Sequence, residues 1–296
     1  MLPKGTKLSI ILAVIIVALI VIGVVVLSGD FSSKDTLKIA TTTSLEDTGL
    51  LEVLESEFKA KYPGTAINVI SAGTGQALEF GKKGDVDLVM VHSKKQEEAF
   101  IDEGYGTNRT IFAYNFFYIL GVENDPAGIK DVSPTEAFRK IMTAGDADSN
   151  LVKFVSRGDS SGTHTRELTL WNSTGVDYNT SVQGKDWYIE TGKGMGDTLI
   201  MANEKSAYTL SDSGTYLAFK GNVTLVALIT TGSELINVYS MIPVNPEKFP
   251  HVNTELADKW IAFVTSSEGQ KIIGNYGLDK YNQTLFTPYI GTTDPT

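Results

Sequence analysis

Residues 151–171 constrain the fold more than any other part of this 296-residue chain. An apolar, strand-like run at 151–155 leads at once into the polar segment 156–164, which is followed by a helix-like run at 165–171. A strand that runs directly into a helix is the repeating unit of α/β folds, so the pattern predicts an α/β domain. Backbone N–H groups at a helix start stabilise negative charge. We therefore expect residues 156–164 to form an anion-binding loop.

The rest of the chain from residue 37 onwards repeats this alternation of strand-like and helix-like runs. Two long extended segments, 110–122 and 235–244, interrupt it and are long enough to carry the chain from one domain to another and back. We therefore expect two α/β lobes joined by two crossover hinge segments, with the ligand in the cleft between them. Lobe 1 is predicted to comprise 36–114 plus 240–290, and lobe 2 to comprise 115–239.

The amino-terminal segment 8–27 carries no charge and, at ~1.5 Å per residue, would reach about 30 Å as a helix, enough to cross a bilayer. It is longer than the apolar region of a secretory signal, which favours one uncleaved transmembrane helix. Lys4 and Lys7 precede it, so the positive-inside tendency predicts a cytoplasmic stub at 1–7. We expect a single-pass anchor in the cell membrane, a tether at 28–35 and an extracytoplasmic binding domain.

Composition excludes several classes of function. The formal net charge of -10 argues against a nucleic-acid partner, whose phosphates need a cationic surface. The absence of cysteine excludes disulfides, thiolate metal sites and cysteine nucleophiles, and three histidines without a His-x-x-x-His pair argue against a transition-metal site. Asp159, Ser161 and His164 resemble a hydrolase set, but they lie too close in one turn to form a triad. We expect no catalysis, no metal and no cofactor.

Polar segments occur at four places where strands are expected to end. They are 41–44, 73–75, 157–163 and 190–196. In open α/β sheets ligands bind outside the carboxyl ends of strands, so we expect these segments to converge. Arg157 offers a guanidinium fork for two oxygens at once. Simpler interpretations are left open, namely helix caps for the threonines and a surface ion pair between Arg157 and Asp159.

Six spaced blocks of the sequence carry a family resemblance. They are 41–51, 73–78, 84–87, 156–164, 190–199 and 207–210. In this order they resemble the tungstate-binding proteins of Tup-type ABC transporters, over nearly all of the chain after Lys34. The resemblance implies a two-lobed periplasmic-binding-protein fold of type II, which closes on tungstate and delivers it to a permease subunit with a cytoplasmic ATPase.

Tungstate is a tetrahedral dianion without a proton near neutral pH, so a site for it needs hydrogen-bond donors and no acceptor. Phosphate, by contrast, usually carries a proton and profits from an acceptor carboxylate. We therefore expect Asp159 to point away from the anion and, with His164, to support the loop. The candidate oxyanion-binding residues are Thr42, Thr43, Ser44, Thr74, Arg157, Ser161, Gly162 and Thr163.

Three alternatives to tungstate transport stay open from the sequence. The nearest is the same fold with a different anion, molybdate first and phosphate or sulfate after it. A second is a membrane-anchored anion sensor, although only residues 1–7 would lie inside the cell. The third is an extracytoplasmic hydrolase.

Overall fold

The structure, a computed structural model, describes residues 35–295. The predicted cytoplasmic stub, the predicted transmembrane span at 8–27 and nearly all of the predicted tether lie outside this range. Within residues 35–295 no helix has the length and apolar character needed to cross a membrane.

The described chain alternates strands and helices, as expected. The strands are β1 (Thr36–Thr42), β2 (Ala66–Ala72), β3 (Leu88–Val91), β4 (Thr110–Gly121), β5 (Phe154–Ser156), β6 (Tyr188–Glu190), β7 (Thr209–Asp212), β8 (Val226–Ile229), β9 (Ile236–Pro243) and β10 (Thr287–Gly291). The helices are α1 (Thr43–Thr48), α2 (Leu50–Lys61), α3 (Thr74–Lys83), α4 (Lys94–Asp102), α5 (Pro134–Ala147), α6 (Gly162–Ser173), α7 (Tyr178–Ser181), α8 (Met195–Glu204), α9 (Ser213–Phe219), α10 (Thr254–Val264), α11 (Ser267–Asn275) and α12 (Leu278–Tyr281).

The main sheet has the strand order β10-β4-β9-β3-β1-β2. Its parallel part is β2-β1-β3, which places the loops after β1, β2 and β3 at one edge of the sheet. Strand β9 lies antiparallel to both β3 and β4. A second, smaller parallel pair is formed by β5 and β6.

Strand β4 is the first crossover between the lobes. Up to Phe116 it pairs with β9, and from Phe117 onwards it pairs with β7. Strand β9 follows lobe 2 in the chain and returns to the sheet of lobe 1 beside β3. The two-lobed α/β fold with two crossovers is therefore confirmed, whereas the exact lobe boundaries stay a prediction, and the lobes keep their names below.

Each lobe packs its helices on a buried aromatic core that fixes the strand ends. In lobe 1, Phe58 of α2 meets Trp260 of α10 edge to face at 5.2 Å between ring centroids. In lobe 2, Trp171 of α6 packs edge to face on Phe138 at 4.4 Å and on Phe154 at 5.3 Å. Because large buried rings dominate core energetics, these contacts hold α6 and the loop before it rigidly on β5.

Two local predictions need correction. The strand expected at 151–155 is shorter and later, at Phe154–Ser156, and Leu151 is 59% exposed. The helix expected to begin near Thr165 begins at Gly162, because the side chain of Ser161 accepts the backbone N–H of His164 and caps the helix three residues earlier. The anion loop is accordingly a tight connection of five residues, 157–161.

Candidate functional site

The loop between β5 and α6 is held by its own side chains. Asp159 Oδ1 accepts the backbone N–H of Ser161 at 3.1 Å, and His164 Nδ1 accepts that of Ser160 at 3.0 Å. Burial lowers the pKa of His164, so the ring is neutral and its Nδ1 can accept. Asp159 and His164 thus make the loop-supporting bonds expected of them.

Arg157 is the buried cation of this loop, with only 2% of its surface exposed. Its carbonyl accepts the backbone N–H of Gly192 at 2.8 Å, which ties it to the glycine-rich segment before α8. Its Nε and Nη2 donate to Asp159 Oδ2 at 3.1 and 2.5 Å, and Nη2 also donates to Thr43 Oγ1 at 3.2 Å. Nη1 is buried and has no hydrogen-bond partner among residues 35–295.

The sequence left open a surface ion pair between Arg157 and Asp159. This ion pair forms, but it is buried and not at the surface. The expectation that the guanidinium of Arg157 would offer a fork to two anion oxygens also needs correction. Asp159, two residues away in the chain, occupies the Nε–Nη2 edge of the guanidinium. Nη1 is the end of the guanidinium that no described residue bonds.

Lobe 1 contributes the loop after β1. Thr42 caps α1, with Oγ1 accepting the backbone N–H of Leu45 at 3.3 Å, and it lies 3.2 Å from Ser44 Oγ. Ser44 Oγ lies 3.0 Å from Nε2 of His92, the residue that follows β3. Two members of this loop contact lobe 2: Thr43 accepts from Arg157, and the carbonyl of Ser44 accepts from the hydroxyl of Thr215 at 3.4 Å.

Further contacts bring the two lobes together. Thr74 Oγ1, at the start of α3, accepts the backbone N–H of Gly162 at 3.1 Å. Gln96 of α4 donates to Thr165 Oγ1 at 2.8 Å and to the carbonyl of Ser160 at 3.3 Å. The cleft is therefore closed, with the starts of α3 and α6 facing each other across it.

Thr163 completes the buried donors at the start of α6. It is 1% exposed, and its Oγ1 has no partner within the described part of the chain. Native interiors rarely leave polar atoms unpaired, so an unpaired buried hydroxyl calls for an explanation such as a bound ion. Thr163 Oγ1 and Arg157 Nη1 are thus two buried donors of lobe 2 that have no partner among residues 35–295.

Hydroxyl bonding separates the predicted site residues into two groups. In the first group, the hydroxyls of Thr42 and Ser161 accept backbone N–H groups of their own loops and keep their hydrogens, and the hydroxyl of Ser44 is bonded to His92. The remaining predicted residues meet at the lobe boundary or carry unpaired donors; they are Thr43, Thr74, Arg157, Gly162 and Thr163. Gly194, just before α8, also lies at the lobe boundary, since a methyl group built on it would be 3.7 Å from Thr43 Oγ1.

The electrostatics suit an anion held by donors rather than by excess positive charge. Arg157 is paired with Asp159, so this ion pair carries no net charge. His92 is neutral, because burial, reinforced by the nearby Arg157, lowers its pKa to about 3. Both Asp159 oxygens already accept hydrogen bonds, from Arg157 and from the backbone of Ser161, so this carboxylate is turned towards its own loop. Among residues 35–295 no cluster of acidic and histidine side chains could hold a metal ion.

Sequence reasoning missed the polar residues behind the site. Asn115 and Asn237, on the two crossover strands, are 3% and 1% exposed and bond to each other. A buried amide costs free energy unless it is paired, so an asparagine inside an apolar strand is a signal that could have found them.

Comparison with known proteins places the chain in a family. The model of the PBP superfamily domain matches residues 29–268. The tungstate-binding protein TupA of Peptoclostridium acidaminophilum is 41% identical over 95% of this chain and 97% of its own length.

Among solved structures, the tungstate ABC transporter protein of Geobacter sulfurreducens is 49% identical, with a TM-score of 0.72, and the match covers 83% of this chain and 100% of that protein's chain. TupA of Desulfovibrio alaskensis is 41% identical, with a TM-score of 0.71, over 86% and 99%. The chain therefore belongs to the TupA family of tungstate-binding proteins within the PBP superfamily.

Proposed function

We propose that this protein is the extracytoplasmic tungstate-binding component of an ABC uptake transporter, which binds the oxyanion between its lobes and releases it unchanged to a permease. The observation that carries the proposal is the pair of buried donors without a partner among residues 35–295, Arg157 Nη1 in the loop before α6 and Thr163 Oγ1 in the first turn of α6. Such donors and a helix amino terminus both stabilise negative charge. Family membership supports tungstate as the anion.

The selectivity expected of this site follows from the bonding of Asp159. A proton on phosphate is best served by a carboxylate oxygen, and Asp159 already directs its oxygens to Arg157 and to the backbone of Ser161. A fully ionised tetrahedral dianion needs donors alone. We expect tungstate and molybdate to compete strongly, and phosphate to compete weakly.

Calorimetric titration of the full chain with tungstate tests the proposal. Arg157→Ala removes a charge-assisted donor, worth roughly 1.5 to 3 kcal/mol, so the affinity should fall about 10- to 150-fold. Arg139→Ala is the matched control, because Arg139 is an exposed arginine of lobe 2 paired with Glu136 of the same helix. Thermal unfolding of both variants checks that they fold. Unchanged tungstate affinity in folded Arg157→Ala would refute this role for Arg157.

A separate experiment tests the choice of ligand: titration of the wild-type protein with tungstate, molybdate, sulfate and phosphate in turn. Tungstate should bind more tightly than sulfate, and phosphate should be the weakest competitor. Equal affinity for phosphate and tungstate would contradict a site made of donors alone.

Membrane attachment is part of the proposal and rests on the uncharged segment 8–27. We expect the protein to stay in the membrane fraction after alkaline carbonate extraction, with its binding domain accessible to protease from outside. Replacing two apolar residues near the middle of 8–27 with lysine should release it. Release of the unaltered protein by carbonate would contradict the anchor.

A further inference from the structure

The ring of His92 joins the candidate site to one crossover strand. His92 directly follows β3 and is 5% exposed. Its Nε2 lies 3.0 Å from Ser44 Oγ, and its Nδ1 lies 2.9 Å from Oδ1 of Asn237 on β9. Both distances are those of good hydrogen bonds. One imidazole therefore bridges the loop after β1 and the strand that returns from lobe 2.

The second crossover strand belongs to the same set of bonds. Asn115 of β4 lies directly opposite Asn237 of β9 in the strand register. Asn237 Nδ2 donates to Asn115 Oδ1 at 2.9 Å and to the hydroxyl of Tyr239 at 2.9 Å. We call Ser44, His92, Asn115, Asn237 and Tyr239 the His92 network. It connects a candidate ligand loop to both hinge segments through buried polar atoms.

The directions of these bonds follow from counting hydrogens. Asn237 uses both Nδ2 hydrogens on Asn115 and Tyr239, so its Oδ1 faces His92 as an acceptor. His92 Nδ1 therefore carries the ring hydrogen. The ring is neutral, since burial lowers its pKa to about 3, so Nε2 has a lone pair and accepts from the hydroxyl of Ser44. The single hydroxyl hydrogen of Ser44 is thereby committed to His92 and is not free for an oxyanion.

The same ring also forms the surface against which lobe 2 closes. A methyl group built on Gly162, at the start of α6, would lie 2.6 Å from His92 Cε1 and Nδ1 and 2.9 Å from its carbonyl oxygen. Glycine allows the backbone to approach this closely. Gly162 belongs to lobe 2 and His92 to lobe 1, so the contact exists only while the lobes are together.

We infer that His92, as the neutral Nδ1–H tautomer, is a positioning residue that holds Ser44 to the hinge and sets how closely the start of α6 approaches the anion. The inference rests on the proposed function for its ligand, but the tautomer does not depend on any ligand. In this arrangement Ser44 positions the backbone of its loop, and the donors that reach the anion come from elsewhere in the cleft.

The tautomer can be read directly from the full chain labelled with ¹⁵N-histidine. The protein has three histidines, at 92, 164 and 251, so their ring signals can be assigned with single variants. We expect His92 to show a protonated Nδ1 and an unprotonated Nε2. Ser44→Ala should shift the Nε2 resonance, because that nitrogen loses its hydrogen-bond donor. A protonated Nε2, or an Nε2 resonance that ignores Ser44→Ala, would overturn the inference.

Affinity measurements test the consequence for binding. His92→Asn places an amide donor near the position of Nδ1, within reach of Asn237, and removes the acceptor of Ser44. Tungstate affinity should fall about tenfold, the effect of one lost hydrogen bond. The control is His251→Asn, because His251 bonds the carbonyl of Gly84 within lobe 1 and touches none of the His92 network. The control should bind tungstate as tightly as the wild type.

The outcomes separate this inference from the proposed function. A wild-type protein that ignores tungstate contradicts the proposed function, while the ¹⁵N spectrum still decides the tautomer. A wild-type protein that binds tungstate, with His92→Asn equally tight, refutes the positioning role alone. If His92→Asn does not fold, the effect of Ser44→Ala on the Nε2 resonance decides.

Discussion

Gly162→Ala should block closure of the lobes without disturbing either lobe by itself. The added methyl group would lie 2.6 Å from the ring of His92, a separation that packed carbon atoms do not tolerate. One of its close neighbours is the backbone carbonyl oxygen of His92, at 2.9 Å, so a side-chain rotation alone cannot relieve the contact. The lobes must therefore move apart.

The size of the effect follows from the energetics of overpacking. Inserting one extra methylene into a well-packed contact costs about 1 to 3 kcal/mol, and this cost falls on the closed state alone. Tungstate binds the closed state, so its apparent dissociation constant should rise by the factor that this free energy sets, about 5- to 150-fold. In the absence of tungstate the variant can relax to an open state, so its unfolding temperature should change little.

Gly145→Ala is the matched control for this experiment. A methyl group there would also lie 2.6 Å from a ring, that of Trp187, but Gly145 and Trp187 both belong to lobe 2. This variant should lower the unfolding temperature of the ligand-free protein and leave the tungstate affinity of the folded fraction unchanged. Calorimetric titration and thermal unfolding on both variants measure the two effects. Loss of stability in Gly162→Ala with intact affinity would refute the assignment of the contact to closure.

Two further variants test the buried polar groups of lobe 2. Thr163→Val keeps the shape of this buried side chain but removes its unpaired hydroxyl. Tungstate affinity should therefore fall about tenfold, while the stability of the ligand-free protein stays the same or rises. Lower stability with unchanged affinity would contradict a ligand-binding role. Burial raises the pKa of Glu167 to about 7, above its unfolded value near 4.5, so its contribution to stability is complete below pH 4.5 and is lost as pH rises through 7. Glu167→Gln, which can still bond Ser156, Trp171 and Tyr188, should remove about 2 to 3 kcal/mol of the wild-type pH dependence between pH 5 and 8, measured by denaturant unfolding; parallel pH profiles would disprove it.

The sequence predicted the fold class and the parts of the site that depend on near neighbours. Strand-to-helix alternation has a short period, so the segment around Arg157 was recognisable as a loop before a helix. The bonds from Asp159 to Ser161 and from Ser161 to His164 span two or three residues, so their support of the loop was within reach of local reasoning. Element ends were less accessible, because a cap such as Ser161 can begin a helix before its apolar pattern starts.

The long-range bonds lay beyond sequence reasoning. Ser44 and His92 are 48 residues apart, and His92 and Asn237 are 145 apart, so no local pattern links them. These three residues meet because β3 lies beside β9 in the sheet and runs parallel to β1, so that β1 and β3 end at the same edge of the sheet. The sequence also left open whether the side chain of Arg157 is buried, since an arginine near an aspartate is usually found at the surface.

The sequence by itself therefore determined that this protein has an α/β fold and carries donor-rich loops at strand ends, since both depend on residues close together in the chain. The tertiary structure decided which donors are free. In the structure Ser44 Oγ is within hydrogen-bond distance of His92, whereas Thr163 Oγ1 and Arg157 Nη1 have no partner among residues 35–295, and we expect these two to donate to the anion. That division depends on how distant segments meet in the closed cleft, and only the folded chain brings them together.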